Sequence, residues 1–350
     1  MMRWKITEKM VHDLMTWFDA NKRSMPWREE VDPYKIWISE VMLQQTQVRT
    51  VIPYYLKWLQ CFPSLAILAD STLQEVLKAW EGLGYYNRAR NIHLAAKYLM
   101  KERKGQFPRS YTELLKIPGF GPYIAAAVAS IAFNIPVGTA DGNVKRVMAR
   151  LFGLPYLLTS SRMIREIKQK MERSFGLHEP RWINQAWMEF GAVQCKKMPD
   201  CAGCIYMREC YALQNKKISE FPRKKVKSQI PSVFGAAFIV RDSDLFLMVK
   251  RQENGLLGGL WELPNIRFDQ ISKDEFLLKN KLESTEDKVF TIRHQFSHFK
   301  LSLDVYMAKL CSDWENTTWD QFRWVSTKKI YELPKSKLHI KILQKAGLVK

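Results

Sequence analysis

Residues 114–152 read LLKIPGFGPYIAAAVASIAFNIPVGTADGNVKRVMARLF, and the fold turns on how this stretch is parsed. The turn Pro118-Gly119-Phe120-Gly121-Pro122 separates two helical segments. Glycine has no Cβ, so a partner can approach the backbone at Gly119 and Gly121 to van der Waals distance. Pro122 suits the first helical position, where no N–H is needed. The unpaired N–H groups of that helix start then point outward, toward an anion. Ala125, Ala126, Ala127, Ala129 and Ser130 are small and permit close helix packing. A short extended run follows, and Asp141 opens a third helix whose Val144, Val147, Met148 and Leu151 share one face. A backbone phosphate clamp thus sits about one helix away from a carboxylate. An ordinary helical hairpin, with Asp141 serving only as an N-cap, reads the same residues, so the rest of the chain decides.

The chain has 350 residues, enough for about two domains. Its hydrophobic fraction of 47% is sufficient for a buried core. The 55 Lys and Arg against 35 Asp and Glu give a net charge of +20, which calls for a polyanionic partner, nucleic acid or an anionic membrane surface. No apolar run approaches the roughly 18 residues of a membrane span. The N-terminal MMRWKITEKMVHDLMTWF is charged and amphipathic, unlike a secretory signal. A cytoplasmic protein with reduced cysteines is expected, without membrane attachment. Four of the six cysteines fall between 195 and 210, a clustering that fits metal ligation better than disulfides.

Up to about residue 115 the pattern is helical, in Leu14, Trp17 and Phe18 and later in Val76, Leu77 and Trp80. Pro26-Trp27-Arg28 lies in a loop before one long helix expected over 36–59, striped by Trp37, Val41, Val48, Val51, Ile52 and Tyr55. Glu40 sits at the edge of that stripe, and its helical neighbours Ile36, Trp37, Leu43 and Gln44 include no base. Such a carboxylate either swings into solvent or, held among apolar groups, has a raised pKa that suits a general acid. Cys195-x5-Cys201-x2-Cys204-x5-Cys210 is a strong metal pattern, open to an iron–sulfur cluster or to zinc. Residues 216–231, KKISEFPRKKVKSQIP, read as a basic linker, either lying along DNA or serving as a soluble tether. From Val233 the period changes to two. Residues 234–240 and 245–249 flank the polar turn RDSD as a hairpin, and Phe299, Leu301, Leu303, Val305 and Met307 alternate as a strand. Helical segments follow around 327–331 and 338–345.

W-I-S-E-V-M-L-Q-Q-T-Q-V at 37–48 resembles the catalytic-helix segment of the adenine DNA glycosylases of the MutY type, members of the helix-hairpin-helix DNA glycosylases. P-W-R at 26–28, E-G-L-G-Y-Y-N-R-A-R-N at 81–91 and V-G-T-A-D-G-N-V-K-R-V at 137–147 resemble the same family. The resemblance implies that Glu40 protonates the adenine and that Gln45 and Tyr85 wedge into the base stack. It places Trp27, Arg28 and Leu43 around the flipped base. Gln185, within PRWINQAWMEFGAVQ at 180–194, matches the amide that reads the adenine edge, and a Gln can pair adenine through one donor and one acceptor. Asp141 is the anion beside the sugar cation, expected to be held ionised by the helix dipole while Glu40 is shifted the other way. The resemblance further implies that Asp141 bonds transiently to the sugar, as in retaining glycoside hydrolysis, with Tyr123 and Asn143 helping to place it.

Relatives of the endonuclease III type carry a lysine where this chain has Tyr123, and Thr-His where it has Gly142-Asn143. Tyrosine cannot form an imine with the sugar, so base excision without an efficient lyase step is implied. The resemblance assigns Cys195, Cys201, Cys204 and Cys210 to a [4Fe–4S] cluster that fixes a loop presenting Lys196, Lys197 and Arg208 to DNA phosphates. The family usually has six residues in the first gap; here there are five, KKMPD. K-R-Q-E-N-G-L-L-G-G-L-W-E-L-P at 250–264 resembles the Nudix fold, yet no R-E-x-x-E-E magnesium helix follows, which argues against pyrophosphate hydrolysis. In the family this domain reads 8-oxoguanine, and Phe296, Ser297 and His298 match its recognition loop.

The expected architecture is therefore multi-domain. An all-α helix-hairpin-helix glycosylase domain spans 1–215, with the hairpin at 114–130 and the cysteine loop at 195–210. A linker covers 216–231, and a smaller α/β Nudix-like domain covers 232–350. The expected activity is excision of adenine opposite 8-oxoguanine or guanine in double-stranded DNA, by a monomer. A glycosylase-lyase for oxidised pyrimidines and a non-catalytic DNA-binding relative are the two rivals.

Overall fold

The computed structural model describes residues 5–223, 229–312, 314 and 319–349. Its packing divides into two compact units, residues 1–70 with 91–226, and residues 71–90 with 227–350. The helices of the first part of the chain are α1 (Glu8–Asn21), α2 (Pro33–Leu43), α3 (Val48–Cys61), α4 (Leu65–Asp70), α5 (Leu73–Ala79), α6 (Asn87–Arg103), α7 (Tyr111–Leu114), α8 (Pro122–Phe133), α9 (Gly142–Phe152), α10 (Ser161–Glu172), α11 (Pro180–Val193) and α12 (Tyr211–Gln214). Several begin at a side-chain oxygen that accepts a free backbone N–H: Thr7 for α1, Asp32 for α2 and Ser160 for α10. Helix α8 begins differently. Gly121 stands at its N-cap with no side-chain bond, and Pro122 fills the first turn.

The core of the helical unit forms where α11 packs on α1, α8 and α9. Leu14, Phe18, Val144, Met148, Trp187 and Phe190 are buried there. Trp187 stacks on Tyr206 at 5.6 Å, and the Tyr206 hydroxyl donates to the Met10 carbonyl at 2.6 Å. The cysteine loop is thereby anchored to α1. Helix α2 packs on α8, and Trp37 meets Phe120 of the hairpin turn at 5.3 Å.

The single helix expected over 36–59 is two helices. Helix α2 ends at Leu43 and α3 starts at Val48, with Gln45 in the left-handed region at φ 59. The break contains neither Gly nor Pro, and the apolar spacing runs through it undisturbed. Propensity therefore carried no warning, and tertiary packing made the break.

The second unit is built on a mixed sheet. Its strands are β1 (Ser232–Asp242), β2 (Leu245–Lys250), β3 (Trp261–Glu262), β4 (Asn265–Arg267), β5 (Leu282–Ser284), β6 (Phe290–Gln295), β7 (Lys300–Leu310) and β8 (Phe322–Ser326). Strands β1 and β7 pair in parallel from Ser232↔Lys300 to Val240↔Ala308. The β1–β2 hairpin forms as the alternation predicts, turning through Ser243 at φ 52. Residues of β1 point alternately to the two faces. Ala237 and Ile239 join a core covered by α14 (Lys337–Lys345), while Ala236, Phe238 and Val240 join one that includes Phe276 of α13 (Lys273–Lys279).

The stretch expected to be a basic linker is anchored at its start. Phe221 is buried in the helical core, with Tyr211 edge-on at 5.9 Å, and its carbonyl accepts from Arg150 Nε at 3.0 Å. One aromatic residue in a lysine-rich run suffices to dock it. Residues 224–228 of that stretch lie outside the described residues.

Candidate active site

A cavity of about 910 Å³ opens in the helical unit. Nine of the residues singled out from sequence line it: Glu40, Tyr123, Asp141 and Asn143, with Trp27, Arg28, Leu43, Gln45 and Gln185. The break between α2 and α3 is what brings Leu43 and Gln45 to its wall. Glu40, on the last turns of α2, is 4% exposed and does not swing into solvent. The Tyr123 hydroxyl, from the first turn of α8, donates to Glu40 Oε2. Burial raises the Glu40 pKa to about 7, with the Tyr123 bond and the Arg28 charge opposing the rise and the Asp141 charge adding to it. Burial pushes the Tyr123 hydroxyl well above its ordinary value, so it remains a donor.

Asp141 caps α9 with its own side chain, Oδ1 accepting from Val144 N at 2.7 Å. Asn143 Nδ2 donates to its other oxygen at 3.0 Å. The N-cap and cavity-lining roles are thus combined in one carboxylate. The expectation that Asp141 is shifted opposite to Glu40 is corrected. Burial raises its pKa too, outweighing the bonds from Val144 and Asn143 and the Arg146 charge. The extended run before it is pinned by Asn184 of α11, whose Oδ1 accepts from Thr139 N at 2.7 Å and Thr139 Oγ1 at 2.9 Å.

The far wall is an ion-pair network with Glu189 at its centre. Arg28 Nη2 reaches Glu189 at 2.7 Å, and Arg23 Nε at 2.6 Å. Arg28 Nη1 also donates to Gln185 Oε1 at 2.9 Å. The Gln185 acceptor is therefore already engaged by Arg28 through one of its two lone pairs. The Nε of Arg28, itself buried, has no hydrogen-bond partner among the described residues.

Glu189, Arg23, Asn184 and Arg146 were not singled out from sequence. For Asn184 and Glu189 the signal was present in PRWINQAWMEFGAVQ, where with Gln185 they interrupt an otherwise apolar buried face of α11. Arg146 joins Asn143 Oδ1 at 2.8 Å to the carbonyls of Gly191 at 2.7 Å and Cys195 at 2.8 Å. A Cβ on Gly191 would meet Asn143 Cβ at 2.7 Å, so only glycine lets α11 approach the start of α9 this closely.

The remaining sequence candidates lie elsewhere. In the hairpin, Gly119 has φ 77, and a Cβ there would strike Asn91 at 2.6 Å, whereas Gly121 faces open space. Gly119 is thus required by the turn itself, and Gly121 is the position open to a ligand. The four cysteines line one small pocket beside Arg150, whose Nη1 lies 3.5 Å from Cys195 Sγ. Burial pushes three of the thiols up, Cys204 to about 11, and each is pushed further by its neighbouring cysteines. The donor set fits a group that keeps thiolates charged in such surroundings. Among the described residues, no three or more His, Cys, Asp or Glu groups converge on a single ion. Lys196, Lys197 and Arg208 are exposed on this loop.

In the second unit, Tyr85 is 48% exposed with φ 51. Like Gln45, it is held in left-handed backbone, which is uncommon for a residue with a Cβ. Phe296 turns between β6 and β7 and packs on Phe299 at 4.7 Å, while Ser297 Oγ lies 3.0 Å from His298 Nδ1 and both face solvent.

Residues 38–173 match the HhH-GPD superfamily of base excision DNA repair proteins, and residues 236–345 match the NUDIX domain. A thermostable thymine-DNA glycosylase shares the helical fold, with a TM-score of 0.55 and 27% identity over 59% of this chain and 96% of that one. A trapped endonuclease III–DNA intermediate shows the same fold at a TM-score of 0.50 and 23% identity, over 60% of this chain and 98% of that one. The helical unit and its cavity therefore define a base-excision DNA glycosylase. The adenine DNA glycosylase of Buchnera aphidicola subsp. Acyrthosiphon pisum (strain APS) is 33% identical over 85% of this chain and 85% of its own length. That of Mus musculus is 32% identical over 90% of this chain and 73% of its own. The chain belongs to the adenine DNA glycosylases, monofunctional enzymes of base excision repair. No described helix is long and apolar enough to cross a membrane.

Proposed function

We propose that the protein excises adenine opposite 8-oxoguanine in double-stranded DNA, with Glu40 as the proton donor to the base and Asp141 as the anion beside the sugar. The observation that carries the proposal is that both carboxylates line one cavity, with Glu40 buried and titrating near neutrality. An adenine in a duplex must leave the stack before its glycosidic bond can be reached. The basic surface supplies the sequence-independent attraction to the phosphates, and the uncapped start of α8 at Gly121 offers backbone N–H groups to one of them. Gln45 and Tyr85 fill the space left in the stack. Trp27, Arg28, Leu43 and Gln185 enclose the flipped base, with Gln185 exchanging its bond to Arg28 for one to the adenine edge.

Protonated Glu40 then gives its proton to a ring nitrogen of the leaving base, which weakens the bond to C1′. Asp141, oriented by Asn143 and Val144, stabilises the positive charge that develops on the sugar. The bond from C1′ to the base breaks, water adds to the sugar cation, and its proton returns to Glu40 to restore the acid. Tyr123 stabilises Glu40 once it is charged. Its hydroxyl stands where a lyase needs an amine, so no imine forms and the strand is left intact.

Cys195, Cys201, Cys204 and Cys210 hold a [4Fe–4S] cluster in this reading, which stiffens the loop carrying Lys196, Lys197 and Arg208 against DNA. The C-terminal domain from residue 232 reads the opposing base through Phe296, Ser297 and His298. The helical domain takes 1–215, except that residues 71–90 pack with the second unit, and the basic stretch 216–231 connects the two in a monomer acting wherever DNA is kept. Single-turnover excision from duplexes with adenine opposite 8-oxoguanine, guanine or thymine tests the proposal. The 8-oxoguanine duplex is expected to react fastest and the thymine duplex not at all. Equal rates on all three defeat the assignment of the opposing base.

A further inference from the structure

The motif that resembles Nudix, G-G-L-W-E-L-P at 258–264, lacks the magnesium helix that would give it hydrolytic work. In this structure it does something else. Gln74 of α5 spans it, its Nε2 donating to the Gly259 carbonyl at 2.9 Å and its Oε1 accepting from the Trp261 indole at 2.9 Å. Further along the chain, the turn after α5 grips a second point of the C-terminal sheet domain. Glu81 Oε1 accepts from the backbone N–H of Lys335 at 2.8 Å, and the Tyr86 hydroxyl donates to the Lys335 carbonyl at 2.9 Å. The Lys335 ammonium, 3% exposed, lies 3.7 Å from the same Glu81 oxygen. Beyond the turn, Arg90 donates to the Glu253 carbonyl at 3.0 Å.

Tyr85 stands between the two residues that grip Lys335. It is exposed, and its backbone is held in the left-handed region, a conformation that persists only where surrounding contacts impose it. The Arg88 guanidinium braces the turn from inside, donating to the Gly84 carbonyl at 3.1 Å and lying 5.6 Å from the Tyr85 ring. Buried hydrogen bonds of this kind are costly to break singly, because each leaves a desolvated partner.

We infer that Glu81 and Tyr86 are positioning residues: by clasping the peptide of Lys335 they make the C-terminal domain set the pose in which Tyr85 enters the base stack. The inference rests on Tyr85 being a wedge, as proposed above. It gives the second domain a role besides reading the opposing base, since seating that domain on its lesion and presenting the wedge become one event.

The test uses the full chain and a duplex whose target adenosine carries fluorine at C2′, which resists cleavage by destabilising the sugar cation. A 2-aminopurine is placed in the stack beside the opposing 8-oxoguanine, where it brightens when a wedge unstacks it. Tyr85→Ala is expected to remove the brightening and weaken binding about tenfold, the scale of one base–aromatic stack. The Glu81→Ala/Tyr86→Phe pair is expected to lose the same signal although Tyr85 is present, with an unfolding temperature lowered by the lost bonds but still well above that of the assay. Glu81→Gln keeps an oxygen for the Lys335 N–H and is expected to retain the signal. If the pair keeps full brightening while Tyr85→Ala loses it, the clasp plays no part and the inference fails alone. If Tyr85→Ala itself keeps full brightening, Tyr85 is not a wedge and both readings fail.

Discussion

The cavity around Glu40 and the turn at Phe296–His298 are built on opposite principles. In the cavity Glu40 and Gln185 are almost wholly buried and already bonded to protein partners. In the turn, Ser297 and His298 face solvent, and among the described residues the hydroxyl meets the neighbouring imidazole at short range. The difference matches what each is proposed to do. A proton donor at neutral pH needs a carboxyl whose charged form is disfavoured, and burial supplies that. A group that reads a base needs to exchange a weak local bond or water for the ligand at little cost, and exposure supplies that.

The largest break in this comparison is expected from Asp141→Asn. Asn is as good an N-cap as Asp, so the fold and DNA affinity are retained while the charge is lost. Single-turnover excision is expected to fall by at least about a thousandfold, the upper range for removing one group that stabilises developing charge. A variant that excises normally but binds DNA poorly reduces Asp141 to a structural cap.

Glu40→Gln comes next, with an expected loss of about a hundred- to ten-thousandfold for removing a general acid. The pH profile carries the sharper information. Glu40 acts when protonated, so with a pKa of about 7 the rate is expected to be level below neutrality and to fall above it. That descending limb is absent from any residual activity of Glu40→Gln. Tyr123→Phe removes a bond that stabilises the carboxylate and lowers this pKa, so the limb is expected to move to higher pH. A limb that stays in place or moves lower contradicts the Tyr123–Glu40 hydrogen bond.

The smallest effect is expected in the turn. Ser297→Ala is expected to cost about 1 kcal/mol in affinity for a duplex containing 8-oxoguanine, the scale of one exposed hydrogen bond, and nothing for the guanine duplex. Titration of both duplexes with a catalytically silent variant measures it. An equal loss on both makes Ser297 a general DNA contact.

Several elements were legible because their chemistry is local. The hairpin turn, the Asp141 cap, the period-two strands of the second unit and the cysteine pattern each depend on residues close in sequence. The break after Leu43 was not legible, because Gln44-Gln45-Thr46-Gln47 contains no residue that stops a helix by its own geometry. The direction of the Asp141 shift was misread for a related reason. Helix N-termini favour anions, but the burial that outweighs this effect comes from the rest of the cavity wall. Glu189 was overlooked because its partners, Arg23 and Arg28, are more than 150 residues away.

The sequence by itself determined the family and the two kinds of secondary structure, and it singled out two carboxylates that line the cavity, since these reside in residue types and short spacings. Only the tertiary structure decided that Glu40 is buried, that Gln185 is held by Arg28, and that residues 71–90 belong with the C-terminal sheet. Desolvation and long-range pairing are properties of what surrounds a side chain, and those surroundings exist only once distant segments have packed.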